Sequence, residues 1–130
     1  MKITTETISQ INLFENLTHT TVRDCIERNS ELYFLVEEGN VRKAVSKLKI
    51  VSKLFKKPVN VLGHSSDVTK FVRNLIYPNN AKIELIDKVV VITTEDSKTK
   101  GRIYGRDKEN LKWILSVVKS HADIDDIKIL

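Results

Sequence analysis

Residues 100–113 read KGRIYGRDKENLKW. Glycine comes early, a short run of mixed charge follows, and a helical pattern begins near the end. A glycine loop that feeds a helix start is one way for a chain to approach a phosphate, because the first backbone N–H groups of a helix have no partner within it. Here Gly105 is followed by Arg106, Asp107 and Lys108, so an aspartate and a lysine stand where a second glycine would be expected. The surroundings decide between a phosphate loop and a plain turn.

Downstream, DKENLKWILSVVKSH (107–121) places Leu111, Ile114, Leu115 and Val118 on one helix face. DIDDIKIL (123–130) ends the chain as a strand whose Ile124, Ile127 and Ile129 form the buried face. Upstream, AKIELID (81–87) and KVVVITTE (88–95) read as two strands turning at Asp87 and Lys88, with SKTK (97–100) as a polar connection.

A similar order occupies the first half. TETISQINLFEN (5–16) is a helix with Ile8, Ile11 and Phe14 on one stripe and Thr4 or Thr5 as its cap. TTVRDCIER (20–28) and ELYFLVEE (31–38) are strands turning at Asn29 and Ser30. Gly39 ends the second of them. VRKAVSKLKIVSKLFKK (41–57) is helical, with room for two short helices, Pro58 stops it, and PVNVLG (58–63) is a strand. Between the halves lies a helical link, SSDVTKFVRNLIYP (65–78), capped by Ser65 or Ser66 and apolar at Val68, Phe71, Val72 and Leu75.

The order repeats with a period of roughly 50 to 60 residues, and each half has the size of a minimal α+β domain. The predicted division is residues 1–78, including the link, and residues 79–130. The 130 residues are 41% hydrophobic and 30% charged, a composition that folds. Lys and Arg exceed Asp and Glu by 22 − 17, a net +5, which favours an anionic partner such as nucleic acid. A lone cysteine, Cys25, cannot form an internal disulfide and fits a reducing cytoplasm; its setting predicts a small buried hydrophobe. No apolar run approaches the ~20 residues of a membrane span.

Enzyme chemistry is poorly supplied. His19, His64 and His121 are far apart and lack metal-type spacing. Asp123, Asp125 and Asp126 fall in an alternating strand and read as solvated edge or turn residues. Phosphate-binding P-loop, nucleophile-elbow and dinucleotide motifs are missing. The expectation is no enzyme, no metal, no cofactor and no small-molecule substrate.

The basic segments say more. Arg42, Lys43, Lys47, Lys49, Lys53, Lys56 and Lys57 lie within 42–57 with no acid among them. Lys98, Lys100, Arg102, Arg106, Lys108, Lys112 and Lys119 lie within 98–119 against only Asp107 and Glu109. Both segments fall at the helix–helix corner after the second strand of their half. Such a corner suits single-stranded nucleic acid, with loop backbone and helix N-terminus on the phosphates. This is the mode of KH domains, in which a G-x-x-G loop clamps about four nucleotides.

The whole chain resembles the archaeal NusA-like transcription factors, built of two tandem type II KH domains. The resemblance is carried by ISQINLFENLTHTTVRDCIE, LYFLVEEGNVRKAV, DVTKFVRNLIYP, IYGRDKENLK and HADIDDIKIL, in that order. It implies an α+β fold of two three-stranded sheets packed on helices, and RNA binding coupled to transcription termination or antitermination. Carried onto this chain, it places the first loop at Ser46, Lys47, Leu48 and Lys49, with the following helix slightly short of the family pattern. The second loop falls at Gly105, Arg106, Asp107 and Lys108. The implied RNA-binding residues are Arg42, Lys43, Ser46, Lys47, Lys49 and Lys53 in the first half, and Arg102, Gly105, Arg106, Lys108 and Lys112 in the second.

Both loops depart from the family pattern. The first has neither glycine and the second keeps only Gly105, so close backbone approach is reduced, and Asp107 puts a negative charge beside the expected phosphate. The expectation is weak binding of single-stranded RNA, more sensitive to salt than to sequence. Trp113 and Tyr104 are expected to pack rather than stack on bases. The alternative is a KH-fold interaction module that docks on RNA polymerase or a ribosomal partner and binds little RNA.

Overall fold

The computed structural model describes residues 5–130. It is α+β and divides into two compact units, the first ending at His64 and the second running Ser65–Leu130. Each has the order helix–strand–strand–helix–helix–strand and builds its own three-stranded sheet on helices, an arrangement consistent with tandem KH-like domains. The repeat is more complete than the sequence reading had it. The helix read as a link attached to residues 1–78 opens the second unit, so the fold divides before it.

In the first unit, α1 (Thr5–Thr18) buries Phe14 and Thr18. The expected cap at Thr4 lies outside the described residues. The helix ends where His19 turns left-handed at φ 56°, its N–H donating to the Glu15 carbonyl at 2.8 Å. Strands β1 (Val22–Arg28) and β2 (Glu31–Glu37) pair antiparallel. Asn29 and Ser30 between them take φ 52° and 63°, the pair of left-handed residues that a tight two-residue hairpin needs. A short 3-10 turn follows, then α2 (Val41–Val45), α3 (Leu48–Phe55) and β3 (Val59–His64), so the basic stretch is two helices. β3 runs parallel to β2, and a parallel pair requires a crossover, here α2 and α3.

The core of this unit joins sheet and helices. The Phe14 and Phe34 rings stack at 4.1 Å and Phe55 tilts against Phe34 at 5.6 Å. Ala44 from α2 and Val51 from α3 are fully buried in the same cluster. Cys25 is half-buried, with Sγ 3.7 Å from Gln10 Oε1. Burial first, then the charges of Asp24 and Glu27, pushes its thiol up to about 12, so it stays protonated and unreactive near neutrality.

In the second unit, α4 (Val68–Ile76) buries Phe71, Val72, Leu75 and Ile76. Its cap is Asp67, not Ser65 or Ser66: Asp67 Oδ1 accepts from the Thr69 N–H at 3.0 Å and from Thr69 Oγ1 at 2.7 Å. Ser65 instead steadies the approach, its Oγ accepting from the Asp67 N–H at 3.2 Å. Strands β4 (Lys82–Ile86) and β5 (Val89–Thr93) pair antiparallel around Asp87, at φ 55°.

The SKTK segment is a correction. It is the first turn of a helix, α5 (Ser97–Tyr104), capped by Asp96, whose Oδ1 accepts from the Thr99 N–H at 2.7 Å. Gly101 lies inside it and Ile103 is its one buried residue, so the apolar period that reveals a helix is missing. Helix α6 (Glu109–His121) buries Ile114, Val117 and Val118, while Leu111 and Leu115 are half-buried. Strand β6 (Asp126–Ile129) is parallel to β5. Asp123 and Asp125 precede the strand: Asp123 pairs with Lys88 at 3.1 Å and the Asp125 N–H donates to the Lys88 carbonyl at 2.6 Å. No helix among the described residues is long and apolar enough to cross a membrane.

The two aspartate caps set an acid dependence. Hydrogen bonds from Thr69 hold Asp67 below the ordinary aspartate value of 3.8, and the Thr99 N–H and hydroxyl do the same for Asp96. A depressed folded-state value means that the carboxylate stabilises the fold above the ordinary value and ceases to do so as pH falls through the folded value. The expected result is a melting temperature that falls between pH 4 and pH 2 less steeply in Asp67→Asn and Asp96→Asn than in the wild type, measured by circular dichroism. Parallel curves for wild type and variants would remove these caps from the account.

Candidate nucleic-acid interface

The corners between paired helices hold most of the residues singled out in the sequence, one group in each unit. In the first unit, Arg42 and Lys43 stand on α2, Ser46 and Lys47 make the corner, and Lys49 and Lys53 stand on α3, all exposed. Ser46 Oγ is turned back onto the Lys43 carbonyl at 2.7 Å. Leu48 and Lys49 belong to the helix and not to a loop, so the corner is two residues long instead of four. Of the seven cations in 42–57, Lys57 pairs with Glu27, and the other six form no ion pair among the described residues.

The second corner is built differently. Four residues, Gly105 to Lys108, separate Tyr104 from Glu109. Gly105 takes φ 71° and ψ 178°, and its N–H closes α5 onto the Gly101 carbonyl at 2.9 Å. Asp107 and Lys108 follow at φ 53° and 60°, both left-handed. Asn110 latches the corner, its Nδ2 donating to the Ile103 carbonyl at 3.0 Å. Arg106, Lys108 and Lys112 are exposed and make no ion pair among the described residues. Lys112 lies one turn beyond Lys108 along α6.

Arg102 is set apart from this group. It lines a polar cleft of about 620 Å³ with Glu95 and Asp96 among its walls, so its charge is partly answered within the unit. The sequence reading left Lys100 out of the site. Its Nζ lies 5.9 Å from the Tyr104 ring centroid and Lys108 Nζ lies 5.7 Å from it, within cation–π range. Tyr104 and Trp113 are both half-buried.

Helix starts sharpen the contrast. Both α4 and α5 carry aspartate caps, whereas α3 and α6, the helices that follow the basic corners, begin at Lys47 and Lys108 with no side-chain cap. An aspartate cap satisfies the open N–H groups and places a negative charge at the helix start. An uncapped start beside unpaired cations leaves that position to an external anion. Also missed were Ile50 and Leu54 on α3 and Val45 at the end of α2, which are exposed. The signal was present: Leu48, Val51 and Phe55 already complete the buried stripe of α3, leaving Ile50 and Leu54 outside it.

No family model matches the chain. The protein named "probable transcription termination protein NusA" of Methanocaldococcus jannaschii is 29% identical over 138 residues, covering 100% of this chain and 75% of that protein. The proteins of the same name from Halococcus morrhuae, at 26%, and Thermoplasma acidophilum, at 24%, cover 94% and 95% of this chain and 93% and 92% of their own. Among solved structures, APE1850 superposes with a TM-score of 0.75 at 26% identity, covering 98% of this chain and 100% of that one. Over nearly its whole length the chain is thus similar to several archaeal proteins named probable transcription termination protein NusA.

Proposed function

We propose that the chain is an RNA-binding transcription termination factor whose two units are type II KH domains, with the α5–α6 corner as the main contact for single-stranded RNA. The carrying observation is the uncapped start of α6 behind Gly105, flanked by unpaired Arg106, Lys108 and Lys112. The mixed sheet of each unit, with the helix pair crossing between parallel strands, supports the KH reading. In the first unit, Arg42, Lys43, Ser46, Lys47, Lys49 and Lys53 offer charge without a glycine cradle, so they attract RNA at long range and without selectivity. The cytoplasm, where transcription takes place, is the corresponding location.

Fluorescence anisotropy of a labelled single-stranded RNA tests this reading. Four phosphates engaged would give a salt slope near −2.8, so raising salt fourfold weakens binding about 50-fold. Reversal of Arg106 and Lys108 to glutamate removes most of the binding, and reversal of Lys47 and Lys49 removes less. Asp107→Gly tightens it, because this residue sits at left-handed φ and its carboxylate repels phosphate. Wild-type protein that fails to bind at low salt would end the RNA reading. A second reading, docking on RNA polymerase, is favoured by the two-residue, glycine-free corner of the first unit.

A further inference from the structure

Helix α3 is apolar on two sides. Leu48, Val51 and Phe55 pack into the core of the first unit. Ile50 and Leu54 lie outside that stripe and are 52% and 54% exposed. They are four residues apart and so form a short row along the helix. Lys49 and Lys53 form a second row beside it, and Lys49, Ile50 and Lys53 line one depression of about 410 Å³. A second cleft of about 580 Å³ continues past the lysines to Pro58 and Val59. One exposed aliphatic residue needs no explanation, but two in a row beside unpaired cations mark a binding surface.

The chemistry of the surface selects its occupant. Six cations of 42–57 form no ion pair among the described residues, so the partner is anionic. The exposed apolar groups are aliphatic; the single aromatic ring of the segment, Phe55, leans on Phe34 in the core. Phosphates prefer a backbone cradle, which a two-residue corner without glycine does not provide. Aliphatic side chains at positions i and i+4 match the ridges of another amphipathic helix. We propose that α3 docks an acidic amphipathic helix of a protein partner, whose apolar stripe covers Ile50 and Leu54 and whose carboxylates meet Lys49 and Lys53. This does not depend on RNA binding by the second unit.

The probe is a labelled 20-residue helical peptide with leucine on one face and glutamate on the others, titrated with the full chain. Polyglutamate of the same length and single-stranded RNA serve as comparison ligands. The expected result is saturable peptide binding, with amide shifts concentrated in 45–57 and little binding of polyglutamate. Ile50→Asn with Leu54→Asn, which adds no charge beside Lys49 and Lys53, should weaken the peptide about 30-fold, as expected for losing two half-buried aliphatic anchors, and leave RNA affinity unchanged. Both positions are exposed, and a circular dichroism melt checks that the variant is folded. Equal binding of polyglutamate, an unaffected double variant, no peptide binding at millimolar concentration, or RNA shifts centred on α3 would each overturn the proposal.

Discussion

Gly105→Ala is expected to destabilise the second unit by about 3 kcal/mol. At φ 71° and ψ 178° this residue occupies a backbone region that is essentially reserved for glycine. Space is lacking as well: an added Cβ would lie 2.6 Å from Asn110 Cβ and 3.0 Å from the Asn110 backbone nitrogen. Neither atom can be moved by a rotamer change, so the corner itself must shift. That shift pulls Asn110 from the Ile103 carbonyl and disturbs the uncapped start of α6. Trp113 is the chain's one tryptophan and lies in α6, so urea unfolding followed by its fluorescence reports on this unit. Gly101→Ala is the matched control. It lies within α5 with nothing within 4 Å of the added Cβ, and should stabilise by about 0.5–1 kcal/mol. Equal midpoints for the two variants would show that Gly105 bears no special backbone role.

Phe34→Ala should remove about 3–5 kcal/mol from the first unit, the usual range for truncating a buried ring. Phe34 is fully buried, stacked on Phe14 at 4.1 Å and touched by Phe55 at 5.6 Å, so its loss leaves two rings without their common neighbour. A domain of about 60 residues has only about 3–9 kcal/mol of stability in total. The variant is therefore expected to show loss of amide dispersion across residues 5–64 at room temperature in NMR spectra. Phe34→Leu, which keeps most of the volume, should retain the native spectrum with a lower melting temperature. Native dispersion in Phe34→Ala would mean that the ring stack is not the centre of this core.

Strands and most helices were readable in the sequence because their apolar residues follow the period of the element: Leu32, Phe34 and Val36 on β2, and Phe71, Val72 and Leu75 on α4. α5 was not readable, since Ser97 to Gly101 offers no apolar residue and a glycine inside a helix counts against one. The allegiance of α4 was hidden for another reason. An amphipathic helix shows that it has a core to face, but not which core, and only the fold assigns it to the second unit. The charges of both corners were plain in the sequence. Their lengths were not: Leu48 looked like loop until its packing in the core placed it on α3. Asp67 prevailed over Ser65 and Ser66 as a cap because it directly precedes the first helical turn and its oxygen reaches Thr69.

In each unit the helix pair is held at both ends by strands of the same sheet, β2 with β3 and β5 with β6. The corner lies at the far end of that arch, and its length does not enter the pairing register. The chain itself carries two versions of the arch, spanned by two residues in one and four in the other, over sheets of the same order. The apex is thus a place where segments can be exchanged or inserted while the sheet below keeps its alignment, and a ligand preference can be rewritten there without redesigning the fold that supports it.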